Sequence, residues 1–98
     1  MSLAGTKWVI SHPNSNGITF NNDGSCVYGG YTGTFTENGQ IFQAKVNCMP
    51  GDPNYLYTEF DGSHNQGKGN GTMKNVWRSG FNPPPGQGPR PFTMTKVP

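Results

Sequence analysis

Residues 23–46 read DGSCVYGGYTGTFTENGQIFQAKV, and this stretch decides the fold. Asp23-Gly24 and Asn38-Gly39 are dipeptides that tolerate positive φ, as the two-residue turns of β-hairpins require. With Asp23-Gly24 as a turn, Phe20 faces Val27 and Ile18 faces Gly29. With Asn38-Gly39 as the next, Phe35 faces Phe42, Gly33 faces Ala44 and Tyr31 faces Val46, which leaves Cys48 opposite Gly29. Both turns select one face of the middle strand for burial: Val27, Gly29, Tyr31, Gly33 and Phe35. The other face carries Tyr28, Thr32, Thr34 and Thr36, and its neighbours Gln43, Lys45 and Asn47 are polar. A slip of one residue would exchange the faces, so the agreement specifies the pairing. Small Gly29, Gly33 and Ala44 alternate with large residues on the buried face, as a tightly curved sheet requires.

The same grammar extends outward. Asn16-Gly17, Asp61-Gly62 and Asn70-Gly71 read as further turns, and Pro50-Gly51-Asp52-Pro53-Asn54 as another. Strands are predicted near residues 6–11, 17–22, 25–36, 40–48, 54–61, 70–78 and 90–97. The third counts as two if it bends at Gly29-Gly30. Trp8 and Ile10 face in on the first, and Phe92 and Met94 on the last. On the fifth, Leu56, Thr58 and Phe60 oppose Tyr55, Tyr57, Glu59 and Asp61. On the sixth, Met73 and Trp77 share a face opposite Val76. No stretch keeps a helical apolar period. The fold class is therefore all-β, an antiparallel up-and-down meander of seven or eight strands. Such a meander gains by closing into a small lipocalin-like or calycin-like barrel, because closure removes both exposed edges.

Composition agrees. The chain has 98 residues, 15 of them Gly and 9 Pro, with 31% hydrophobic and 12% charged residues. That length makes one domain, residues 1–98. No apolar run approaches the roughly 18 residues a membrane span needs. Two Trp, four Tyr and six Phe argue against disorder. Residues 1–5 read as a disordered or appended leader, and 79–89 as a Pro/Gly-rich loop. Without a basic segment followed by an apolar run at the start, the chain reads as cytoplasmic. Cys48 points inward and Cys26 outward in this register, so the two thiols are expected to stay reduced unless a bulge at Gly29-Gly30 reverses the alternation.

Catalysis finds little purchase. Cys26 or Ser63, His12 or His64, and Asp61 supply the residue types of a nucleophilic triad, but none sits in a diagnostic context. His64 falls in the polar stretch Asp61-Gly62-Ser63-His64-Asn65-Gln66 and reads as a solvated loop residue. Glu59, Asp61 and His64 match no recognised metal-ligand spacing. With five acids in the chain, paired glycosidase carboxylates are thinly supplied. The expectation is a protein that is not an enzyme and carries no cofactor, metal or catalytic residue.

Charge is divided along the chain. Residues 1–61 hold all five acids beside only Lys7 and Lys45, whereas residues 62–98 hold Lys68, Lys74, Arg78, Arg90 and Lys96 and no acid. Interleaved with those bases stand Trp77, Phe81 and Phe92, an arrangement that single-strand nucleic-acid binders use. The bases are spread rather than clustered, so nucleic acid is the third choice of partner. Trp8, Phe20, Tyr31, Phe35, Phe42, Phe60 and Phe92 converge inside the predicted barrel and either fill it or line a cavity for a small apolar ligand. Tyr28, Tyr55, Tyr57, Trp77, Arg78 and Phe81 form an outward set suited to a protein partner or homodimer.

Asn16-Gly17-Ile18-Thr19-Phe20, Asp23-Gly24, Tyr28-Gly29-Gly30, Tyr31-Thr32-Gly33-Thr34-Phe35, Asn38-Gly39-Gln40-Ile41 and Ala44-Lys45-Val46 follow in an order that resembles lipocalin-like regulators. The likeness is to the family containing negative regulators of type III secretion, and Pro91-Phe92-Thr93-Met94-Thr95 resembles the closing strand of such barrels. It implies a small barrel and non-catalytic binding, with a dimer as one form. From the sequence, then, the expected function is binding of a protein partner or of a second copy. The alternatives are a carrier of a small apolar ligand and a nucleic-acid binder.

Overall fold

The computed structural model describes residues 3–12, 16–82 and 88–97, with the side chain of His12 outside the description. Eight strands appear in chain order: β1 Thr6–His12, β2 Asn16–Phe20, β3 Ser25–Tyr28, β4 Tyr31–Asn38, β5 Ile41–Val46, β6 Tyr55–Asn65, β7 Lys68–Trp77 and β8 Arg90–Lys96. Each pairs antiparallel with its neighbours in sequence, and β8 returns to β1, so the sheet is a closed barrel. No helix of the described residues is long and apolar enough to cross a membrane. The all-β meander read from the turns is the architecture of the molecule. Residues 83–87 of the Pro-rich 79–89 segment and residues 1–2 lie outside the described residues. Residues 3–5, expected to be a disordered or appended leader, are instead packed in place, Leu3 fully buried and the Gly5 N–H donating to the Phe20 carbonyl.

The predicted register needs three corrections, each with a local cause. Asn22-Asp23-Gly24 is a three-residue loop with Gly24 at φ 89°, so Phe20 pairs with Cys26 rather than Val27. Gly29 and Gly30, at φ 56° and 92°, form a two-residue hairpin turn of their own. The segment 25–36 is thereby two strands, with Tyr28 paired to Tyr31 and Cys26 to Gly33. That turn resets the alternation: Cys26 and Tyr28 face in, Val27 is half-exposed, and Tyr31 stands 43% exposed at the rim instead of inside. At the third turn Gly39-Gln40, not Asn38-Gly39, occupies the central positions, so Phe35 pairs with Ala44 and Gly33 with Val46. This shift is by two residues, which preserves the faces, and Phe35, Phe42, Ala44 and Val46 are buried as expected.

Strands β6 and β7 are longer than predicted. Asp61-Gly62 and Asn70-Gly71, read as turns, instead face each other in mid-strand, Gly62 paired with Gly71. The turn between the strands is Gln66-Gly67, both at positive φ. Glycine is needed at the pair for another reason: a Cβ on Gly71 would lie 2.0 Å from the Asp61 carbonyl oxygen, and one on Gly62 would press on the Phe92 and Phe42 rings. His64 is therefore a buried strand residue rather than a solvated loop residue. A bulge between Tyr55 and Tyr57 turns Leu56 outward, 49% exposed, and Tyr55 inward.

The core is one cluster of interdigitated rings. Phe60 packs edge-on against Tyr28 and Phe92 at 5.1 and 5.6 Å between centroids, and Phe20 against Phe35 at 4.9 Å. Such edge-to-face contacts add about 0.5–1.5 kcal/mol each beyond area burial. Trp8, Ile10, Ile18, Met73 and Met94 complete the filling.

Candidate functional site

Up-and-down connectivity gives the barrel two unlike ends. At one lie the short connections 22–24, 39–40 and 66–67, and at the other the Gly29-Gly30 turn together with the longer segment 47–54 and the residues that follow Trp77. Long connections on a rigid barrel are where recognition residues are usually carried.

The short-hairpin end is plugged. Leu3 is fully buried, and its N–H donates to both carboxylate oxygens of Glu37, at 3.0 and 3.1 Å. Glu37 Oε2 stands 3.7 Å from Nε2 of His64. The His64 ring meets Trp8 and Phe42, and its Nε2 makes no hydrogen bond among the described residues. Strict alternation from Phe35 places Glu37 on the inner face, a signal present in the sequence but masked by its charge.

A polar network lies inside the other end. The Tyr55 hydroxyl accepts from the Cys48 N–H at 3.0 Å and donates to the Val46 carbonyl at 3.0 Å. It also lies 2.6 Å from Thr58 Oγ1, which in turn donates to Asn75 Oδ1 at 2.9 Å. Burial pushes the Tyr55 hydroxyl and the Cys48 thiol above their ordinary ranges. Trp77 packs edge-on against Tyr55 at 5.7 Å. Phe81 stacks on Trp77 at 5.0 Å with the planes 29° apart, and Arg78 between them in sequence is exposed.

Of the expected partner-binding set, then, Trp77, Arg78 and Phe81 come together at the long-loop end. Tyr57 is half-buried on the outer wall beneath the Lys45 ammonium, 5.1 Å away. Tyr28 and Tyr55 do not belong to the outer surface. They point inward, 7% and 6% exposed, because the Gly29-Gly30 turn and the Leu56 bulge each reverse the alternation. Of the expected interior set, Trp8, Phe20, Phe35, Phe42, Phe60 and Phe92 are buried together and Tyr31 is not. Thr58 and Asn75 escaped prediction because neither has a distinguishing sequence context.

The catalytic residue types stay apart. Cys26 is fully buried, and its thiol is pushed up to about 11, chiefly by burial and secondarily by Cys48. Ser63 is exposed on β6 while His64, one residue on, points the other way. Glu59 and Asp61 adjoin on the outer wall, and Glu59 is raised by partial burial and by its hydrogen bond to Asp61, with Lys74 3.7 Å away. No group of three His, Cys, Asp or Glu side chains able to hold a metal occurs among the described residues. Pockets open on the outer surface: one of about 420 Å³ among Gly5, Thr6, Lys7, Lys96 and Val97, another of about 180 Å³ beside Gln40, Asn65 and Asn70. Comparison of the chain with protein-family models, with curated proteins and with solved structures finds no match.

Proposed function

We propose that the protein is a non-enzymatic binding module that engages a protein partner, or a second copy of itself, through the long-loop end of its barrel. The Trp77–Phe81 stack beside exposed Arg78 carries this reading. Aromatic residues and arginine are the types enriched where protein surfaces meet, since they bring large contact area at low entropic cost. Tyr55 and the hydroxyl network beneath hold Trp77 in place, so the platform is preorganised. The resemblance of residues 16–46 to lipocalin-like regulators agrees with binding rather than catalysis. An apolar-ligand carrier is less favoured, because the interior rings pack on one another. Nucleic-acid binding is also less favoured: Lys74 is engaged with Glu59, and the remaining bases of residues 62–98 are distributed over several segments.

The test is affinity capture with the wild-type chain and with Trp77→Ala/Phe81→Ala, alongside light scattering across a concentration series. The expected result is a captured partner or a dimer that the double variant loses by at least tenfold in affinity, about 1.4 kcal/mol. A strict monomer with no specific partner, or a partner retained undiminished by the double variant, overturns the reading. Binding to oligonucleotides that falls steeply with salt would replace it with the nucleic-acid alternative.

A further inference from the structure

Cys26, Gly33, Val46, Thr58 and Asn75 occupy one row across β3 to β7, each paired with the next. In a flat sheet β3 and β5 would lie about 10 Å apart, twice the interstrand spacing. Here the sheet folds sharply at Gly33, where an added Cβ would lie 2.0 Å from the Lys45 carbonyl oxygen and 2.7 Å from the Val46 Cα. As a result β3 approaches β5 directly, across the one strand between them. Gly33 contributes no side chain to separate Cys26 from the β5 side.

Cys48 lies two residues beyond Val46, just past the Asn47 N–H that donates to the Thr32 carbonyl, and so stands next to this row on the same inward face. Its N–H is held by the Tyr55 hydroxyl that also reaches the Val46 carbonyl and lies 2.6 Å from Thr58 Oγ1, Val46 and Thr58 both being residues of that row. Both cysteines pack in the same core cluster, Cys26 fully buried and Cys48 half-buried at its margin. Burial first and Cys48 second push the Cys26 thiol up. The two thiols are free in this structure.

We propose that Cys26 and Cys48 are a modification site: a thiol pair that an oxidising thiol–disulfide couple closes into an intramolecular disulfide across Gly33. The accessible Cys48 thiolate attacks one sulfur of glutathione disulfide and expels one glutathione thiolate. The Cys26 thiolate then attacks the Cys48 sulfur of the mixed disulfide and expels the second glutathione thiolate. Two electrons pass from the protein to glutathione disulfide, and the two thiol protons are taken up by the departing thiolates. The product ties β3 to the start of the 47–54 connection, directly beneath Tyr55.

The experiment incubates the native full chain with glutathione disulfide at mildly alkaline pH, quenches with acid, unfolds and alkylates. The expected product is a monomer about 2 Da lighter with no alkylatable thiol, restored by dithiothreitol. Trypsin cleaves after Lys45, between the two cysteines, so peptides 8–45 and 46–68 are recovered joined until reduced. The intramolecular form should exceed the mixed disulfide at Cys48 at least about tenfold, because both cysteines pack in one core cluster. Cys26→Ser should instead stop at the glutathione adduct on Cys48; if that variant fails to fold, the wild-type mass and peptide linkage decide. Two free thiols after unfolding, a persistent adduct on Cys48 alone in the wild type, or disulfides only between chains would each overturn the proposal.

Discussion

Glu37 Oε2 and His64 Nε2 stand 3.7 Å apart inside the short-hairpin end of the barrel, with the same carboxylate accepting the Leu3 N–H. The carboxylate thus joins β4, β6 and the segment leading into β1. Glu37→Ala leaves the buried Leu3 N–H and the His64 ring nitrogen without that oxygen. The expected loss is about 1–3 kcal/mol, read from the urea unfolding midpoint. Glu37→Gln, whose amide oxygen still accepts from Leu3, should lose less.

Burial of Cys26 makes stability pH-dependent on the alkaline side. The thiol titrates at about 11 in the folded chain, against an ordinary value of 9.0. Above pH 9 the unfolded chain has released this proton while the folded chain still holds it, so stability falls as pH rises from 9 towards 11. Below pH 9 the contribution is constant. Chemical denaturation in that interval should show the slope, and Cys26→Ala should make it shallower, the raised Cys48 thiol and Tyr55 hydroxyl supplying the remainder.

Gly71 allows two strands to approach more closely than any side chain permits. Its Cβ would sit 2.0 Å from the Asp61 carbonyl oxygen and 2.5 Å from the Gly62 Cα, both backbone atoms that cannot rotate away. Gly71→Ala is expected to cost about 3 kcal/mol. Gly51→Ala, with nothing within 4 Å and no positive φ, should leave the thermal midpoint unchanged.

Phe60 and Leu56 lie four residues apart on β6 with opposite fates. Phe60 is fully buried among Tyr28 and Phe92, so Phe60→Ala should destabilise by about 3–5 kcal/mol through lost burial and the cavity left behind. Leu56, turned out by the bulge, is 49% exposed, and Leu56→Ser should stay within about 0.5 kcal/mol. Equal losses at both positions would mean the bulge is misplaced.

What the sequence by itself determined was the meander: short β-rich runs, glycine turns between them and one apolar face, enough for an all-β barrel closed by Phe92 and Met94. It also placed Phe35, Phe42, Ala44 and Val46 inside, because a register error of two residues leaves the side-chain period of two undisturbed. The tertiary structure decided which glycines turn and which pack. Asn-Gly and Asp-Gly look alike in either role, and only closure of the barrel brings Gly62 against Gly71 and the Phe42 and Phe92 rings. Once those glycines lie in mid-strand, His64 is carried inside, where it meets Glu37. Tyr28 and Tyr55 were assigned outward from an unbroken alternation, which one hairpin turn and one bulge reverse. The gathering of Cys26 and Cys48 at one core cluster belongs to the same class, since it depends on how sharply the sheet folds at Gly33. Local residue choice carries turn chemistry and periodicity, whereas curvature is set by all eight strands closing together.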